Sequence, residues 1–326
     1  MTMSGRARRR LRSLLWTLAV TAALTAAVVT IFPAAAEAKL TISGSSLRTE
    51  IEPGEPYEHK ITIRLDEGDP SLDFVVEVLG LGQDPDGSSL ALAPAADTSS
   101  YSAREYINVD KTSFHLRGGE STEVIATVNL PPDPGNGGRY ASVQVRTVPS
   151  QEEGVSLGLA GNIIMVLTIS DSELIHEGTI TALEIDEIAS GEPIKITSAF
   201  YNSGNHHFKV QGEVTVHDQD GAVLANIPIP PTAGSILPHY SRQLDVAFDP
   251  EGALDPGDYF VRARVTLEDG TVLDNAEAIF TLQEPYLSSV PSAPSQKLVV
   301  GGAAVVLAAA LLWLYNLFLR KKRSNR

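Results

Sequence analysis

Residues 57–65 read Tyr-Glu-His-Lys-Ile-Thr-Ile-Arg-Leu. Tyr57, His59, Ile61, Ile63 and Leu65 fall on one side of an extended chain, and Glu58, Lys60, Thr62 and Arg64 on the other. A period of two is that of a strand with one buried face. The same alternation returns in Glu123–Leu130, His207–His217 and Asp258–Leu267. Turn residues separate such runs: Glu67-Gly68-Asp69-Pro70, Asp84-Pro85-Asp86-Gly87, Asp218-Gln219-Asp220-Gly221 and Asp269-Gly270. Asp-Gly between alternating segments is a strong hairpin cue. Roughly seven strands are expected on each side of residue 172, a count that suits a sandwich. Between residues 39 and 297 no stretch shows a capped helical period. The expected fold is therefore all-β: two tandem immunoglobulin-like β-sandwiches, at 39–172 and 173–285.

The ends read differently. Residues 1–38 carry five arginines, a long apolar run and a small-residue stretch at Ala34–Ala38. That order is a secretory signal peptide. Cleavage is expected after Ala38, with Ala36 a second site and an uncleaved anchor the alternative. Residues 286–297 form a Pro/Ser stalk, with Pro291 and Pro294 as stiffeners. Residues 298–319 hold no charge and are long enough, at 1.5 Å per residue, to cross a hydrocarbon core of about 30 Å as a transmembrane helix. Arg320, Lys321, Lys322 and Arg323 open the basic tail at 320–326, which places it in the cytoplasm. The expectation is a single-pass type I protein of the plasma membrane, ectodomain outside. No Leu-Pro-x-Thr-Gly-like motif precedes the helix, so covalent wall attachment by sortase is not expected.

Composition narrows the chemistry. The absence of cysteine excludes disulfides, thiolate metal sites and a thiol nucleophile. Residues 39–297 hold 15 basic and 39 acidic side chains, a net charge of −24. Such a surface repels nucleic acid, so no nucleic-acid partner is expected. No Gly-x-Ser-x-Gly, His-Glu-x-x-His or phosphate loop is present, so no enzyme and no cofactor are expected.

Four residues are weak metal candidates. Asp84 and Asp86 open a turn like the start of a calcium loop, but no later Glu completes it. His206 and His207 are the one adjacent histidine pair, expected at a solvated turn. Binding is expected instead in long loops. Ala91–Arg104 is the longest irregular stretch and Val148–Val155 a second exposed loop; the best binding candidates are Ala91–Arg104 and the long, Gly/Pro-rich Pro131–Gly138 crossing, with Tyr101, Arg104, Pro131 and Asn136 as candidate contacts. The plain alternative for Ala91–Arg104 is a disordered excursion, and removal of 93–102 is expected to leave the fold intact.

One run in the first sandwich carries a resemblance. It comprises Tyr106–Ser121 with its Gly118-Gly119-Glu120 turn, Val124–Asp133, and Gly137-Gly138-Arg139-Tyr140-Ala141-Ser142-Val143. This resembles the first domain of WxL-interacting surface proteins and, more remotely, the N-terminal sandwich of pilus chaperones. The order of signal, two sandwiches, one helix and basic tail is similar to the WxL-interacting family as well. The resemblance implies a first domain associated with peptidoglycan and a second with a host or partner protein. The bend Tyr201-Asn202-Ser203-Gly204-Asn205 is similar to many adhesion-type sandwiches. The expected role is a non-catalytic, membrane-anchored binding protein whose partner is a cell-envelope component or surface protein. A structural spacer, or an anchored chaperone for secreted surface proteins, is the alternative.

Overall fold

The structure is a computed structural model, and it describes residues 39–148, 158–186, 188, 191–250 and 252–287. The expected signal peptide, transmembrane helix and basic tail lie outside them. Among the described residues no helix is long and apolar enough to cross a membrane.

Among the described residues seventeen strands and a single 3-10 turn follow one another. They are β1 Leu40–Ser43, β2 Ser46–Ile51, β3 Tyr57–Leu65, β4 Leu72–Gln83, β5 Ser89–Leu92, β6 Ile107–Val109, β7 Ser113–Leu116, β8 Ser121–Val128, β9 Gly138–Thr147 and β10 Ala160–Ile169. After them come β11 Gly178–Ile185, β12 Ile194–Asn202, β13 Gln211–His217, β14 Val223–Ile229, β15 Ser241–Phe248, β16 Gly257–Thr266 and β17 Val272–Leu282. The 3-10 turn spans Arg104–Tyr106.

The alternating stretches become strands, although His207–His217 does so only from Gln211 onward. In β3 the inward Ile61, Ile63 and Leu65 are fully buried while Glu58, Lys60 and Arg64 face out. Two sheets face each other in the first part. One has the order β1-β3-β8-β6, the other β2-β10-β9-β4-β5, with β7 also on β4. Their inner faces supply a core of Ile61, Ile63, Phe74, Val124, Val143, Val145, Ile163, Met165 and Leu167. The chain changes sheets within a few residues: β1 pairs antiparallel with β3, and β2 then pairs parallel with β10. Gly44, at φ 75, makes that corner.

The remaining strands form a sheet β11-β12-β15 and a sheet β14-β13-β16-β17. Val214, Val216, Val261, Ala263 and Val265 are fully buried, and Tyr259 stacks on Phe280 at 5.1 Å. The chain divides into two compact units. The first is Met1–Thr179 with Phe200–Val210 and Thr232–Gln243, and the second is Ile180–Ala199, Gln211–Pro231 and Leu244–Arg326.

Candidate binding surface

The segments Phe200–Val210 and Thr232–Gln243 are organised by one side chain in the first unit. Asn202 is fully buried. Its Nδ2 donates to the carbonyls of His206 and Ile236, both at 2.9 Å, and its Oδ1 accepts from Gly204 N at 2.9 Å. Its own N–H donates to Tyr240 O and its carbonyl accepts from His239 N. Every polar group of the residue is thus satisfied, which is what burial demands. Asn205 is a second such residue. Its Nδ2 donates to Glu173 O, its Oδ1 accepts from Ile175 N, and its carbonyl accepts from Gly138 N. Between them Gly204 lies against the Ile175 carbonyl, where a Cβ has no room.

These two asparagines set out a group of rings. His239 is exposed, with its ring 5.2 Å edge-on from Tyr101 and 6.2 Å stacked from Tyr201. Its φ of 65° is left-handed, a region that only a few per cent of non-glycine residues enter, histidine more often than most. The buried Arg139 guanidinium sits 5.8 Å over the Tyr101 ring. Its Nη1 donates to Gly138 O at 2.7 Å and Asn136 O at 3.2 Å, and its Nη2 to Pro134 O. Desolvation draws its pKa below the ordinary guanidinium value.

Beside this group runs a histidine chain. Tyr140 OH lies 3.2 Å from His207 Nδ1. His206 Nε2 lies 3.1 Å from Thr168 Oγ1, and its Nδ1 3.2 Å from His176 Nε2. Burial lowers the His206 pKa to about 4, with His176 adding repulsion. Burial also lowers that of His207 to about 3, helped by His206 and Arg48. Desolvation raises the Tyr140 phenol.

The predicted residues are now placed. Tyr101 packs on Leu81, Tyr140, Val166 and Leu237 as well as meeting His239. Asn136 joins it through Arg139. Pro131 is half-buried on the same crossing. Arg104 turns elsewhere, with its Nε 3.4 Å from Asp97 Oδ2 and its Nη2 3.2 Å from Glu105 Oε1.

Two expectations are corrected and one is met. Ala91–Arg104 is not an excursion: it opens with the last residues of β5, Ala103 is fully buried, and Asp97 is 1% exposed. Ser102 Oγ donates to Asp97 at 2.5 Å, and Ala103 N to Tyr140 O at 2.7 Å. His206 and His207 are not at a solvated turn, since both rings are half-buried with their nitrogens engaged. Asp84 and Asp86 close the β4–β5 hairpin, as the Asp-Gly turn cue implies. Asp84 O accepts from Gly87 N, and Asp86 Oδ1 from Ser88 N at 2.7 Å, which lowers the Asp86 pKa. Among the described residues no group of three or more His, Asp or Glu is arranged to hold a metal.

Sequence reasoning missed Arg139, Tyr201, Asn202, Asn205 and His239 as parts of one surface. The bend containing Asn202 and Asn205 was visible, but their partners lie about 30 residues away in the chain.

No family model matches the chain, and no curated protein matches it. Several solved structures are distantly similar. A chaperone–tip adhesin complex of CFA/I fimbriae is 11% identical, with a TM-score of 0.38 over 76% of this chain and 99% of that one. The E. coli chaperone DraB is 14% identical, with 0.34 over 74% and 97%. The Pseudomonas aeruginosa chaperone CupB2 is 11% identical, with 0.32 over 72% and 97%. At these scores the likeness carries no argument, and the β-sandwich reading stands on the strands and registers above.

Proposed function

We propose that this chain is a non-catalytic binding protein, anchored at the outer face of the plasma membrane, that holds a segment of another surface protein as a chaperone does. The observation that supports it is His239. A non-glycine residue at φ 65° carries a conformational cost on the order of 1–3 kcal/mol. The exposed ring between Tyr101 and Tyr201, with Arg139 beside Tyr101, gives that cost a use. Exposed rings are side chains that anchor polypeptide partners, and the buried Arg139 holds Tyr101 in place for that role. Membership of the WxL-interacting family stays part of this proposal.

The test separates binding from folding. Glycine suits φ 65°, so His239→Gly keeps or raises the melting temperature, by up to about 1 kcal/mol of stability. Partner recovery from detergent-solubilised membranes falls several-fold in the same variant. Equal recovery by both proteins rejects the binding reading and favours a spacer.

A further inference from the structure

The second unit has an edge that its own strands leave incomplete. β17 is the terminal strand of the sheet β14-β13-β16-β17, and β11 the terminal strand of the sheet β11-β12-β15. β17 pairs with β16 along its eleven residues and with no other strand among the described residues. The two edges meet at one point, where Ile180 N donates to Asp274 Oδ2 at 2.7 Å. Past the other end, Tyr286 OH donates to Glu192 O at 2.5 Å and Gly191 N to Leu287 O.

Between these closures the core thins. On β16 the inward Val261 and Ala263 are fully buried. Their neighbours across the ladder are Ala278 and Ala276, both small and only half-buried. On β11, Ile180, Ala182, Leu183 and Ile185 are half-buried too. On the outward face, Phe260 pairs with Ile279, which are 37% and 61% exposed. Unpaired edges are usually protected by brevity or proline. β1, β5 and β6 are three or four residues long, and β14 carries Pro228. β17 is long and has neither proline nor lysine.

Charge selects the occupant. Residues 178–187 and 272–287 contain six carboxylates and no lysine or arginine: Glu184, Asp186, Glu187, Asp274, Glu277 and Glu284. Arg262 on β16 pairs with Glu277 at 2.7 Å and Lys195 on β12 with Asp186 at 3.8 Å, which leaves the edge net acidic. Like charge disfavours a second copy of this edge, and opposite charge favours a basic strand. The geometry points to an extended segment of a partner protein that adds to β17, with apolar residues over Ala276 and Ala278 alternating with lysine or arginine. Strand addition supplies main-chain hydrogen bonds, and the alternate side chains supply selectivity. This surface is separate from the His239 group, so either can fail without the other.

Full-length protein in detergent micelles is titrated with three eight-residue probe peptides. One alternates valine and lysine, one alternates valine and glutamate, and one has four valines followed by four lysines. The alternating basic peptide is expected to bind at least about tenfold tighter than the other two, and less well in high salt. On binding, amide hydrogen exchange slows in β17 and not in β14. Ala278→Lys, which puts an ammonium where the inserted strand packs, lowers that affinity by about tenfold or more. Equal binding of alternating and block basic peptides, or protection away from β17, overturns the proposal. So does a concentration-dependent dimer that Ala278→Lys abolishes, which assigns the edge to a second copy.

Discussion

Asn202 and the two histidines next to it illustrate how much rests on single side chains. The amide of Asn202 fixes the carbonyls of His206 and Ile236, and so decides where the His206 and His207 rings lie. Those rings are held neutral by burial, at pKa values of about 4 and about 3 against an ordinary 6.5. The folded chain therefore binds fewer protons than the unfolded chain below pH 6.5. This contribution to stability is complete above pH 6.5 and is lost as pH falls through about 4 and then about 3. The melting temperature should drop over that window, and drop less in the His206→Gln/His207→Gln variant. Parallel curves for the two proteins would show that these rings are not what titrates. Arg242 shows the same dependence on one group: its guanidinium lies flat against Gly87, which at φ 91 has no Cβ in the way.

At the scale of elements, the alternating strands were legible and the short ones were not. β3 and β16 fall where the period of two puts them, because each has one inward face. β2, β5 and β7 have only four to six residues, too few for a period to show against turn residues. β5 in particular was hidden inside a stretch that composition marks as loop. What pins the rest of that stretch is a buried ion pair, Asp97 with Arg104, and the Asp97 carboxyl lying on Gly80. Neither depends on local periodicity. Deletion of residues 93–102 should therefore cost several kcal/mol, since it removes the Tyr101 ring from the core beside Tyr140 and leaves Arg104 with Glu105 alone. For a unit of this size that is a fall of roughly 2–4 °C per kcal/mol in melting temperature. An unchanged melting temperature would mean that the loop only rests on the sheet.

On the scale of the whole molecule, the sequence disclosed a class of fold but not a surface. Ring groups such as Tyr101, Tyr201 and His239 come from positions about 100 and 40 residues apart, and no spacing rule connects them. Arg139 was quoted in a familiar run, yet its link to Tyr101 and Asn136 needed coordinates. The proposed topology has its own check. Protease added to intact cells, or to spheroplasts where an outer membrane exists, should remove residues 39–297 and leave a membrane fragment of a few kilodaltons. Full protection of the ectodomain would reverse the orientation.

The crossing of the chain from β1 to β2 has a mechanical consequence. β2 and β10 lie parallel and share six rungs, Ser46 against Ile164 through Ile51 against Ile169. Tension that enters at residue 46 and leaves at residue 169 pulls the two strands past each other along their length. All six rungs then carry load together, whereas an antiparallel pair pulled from one end opens rung by rung. A tether built this way yields abruptly at a high force instead of peeling at a low one.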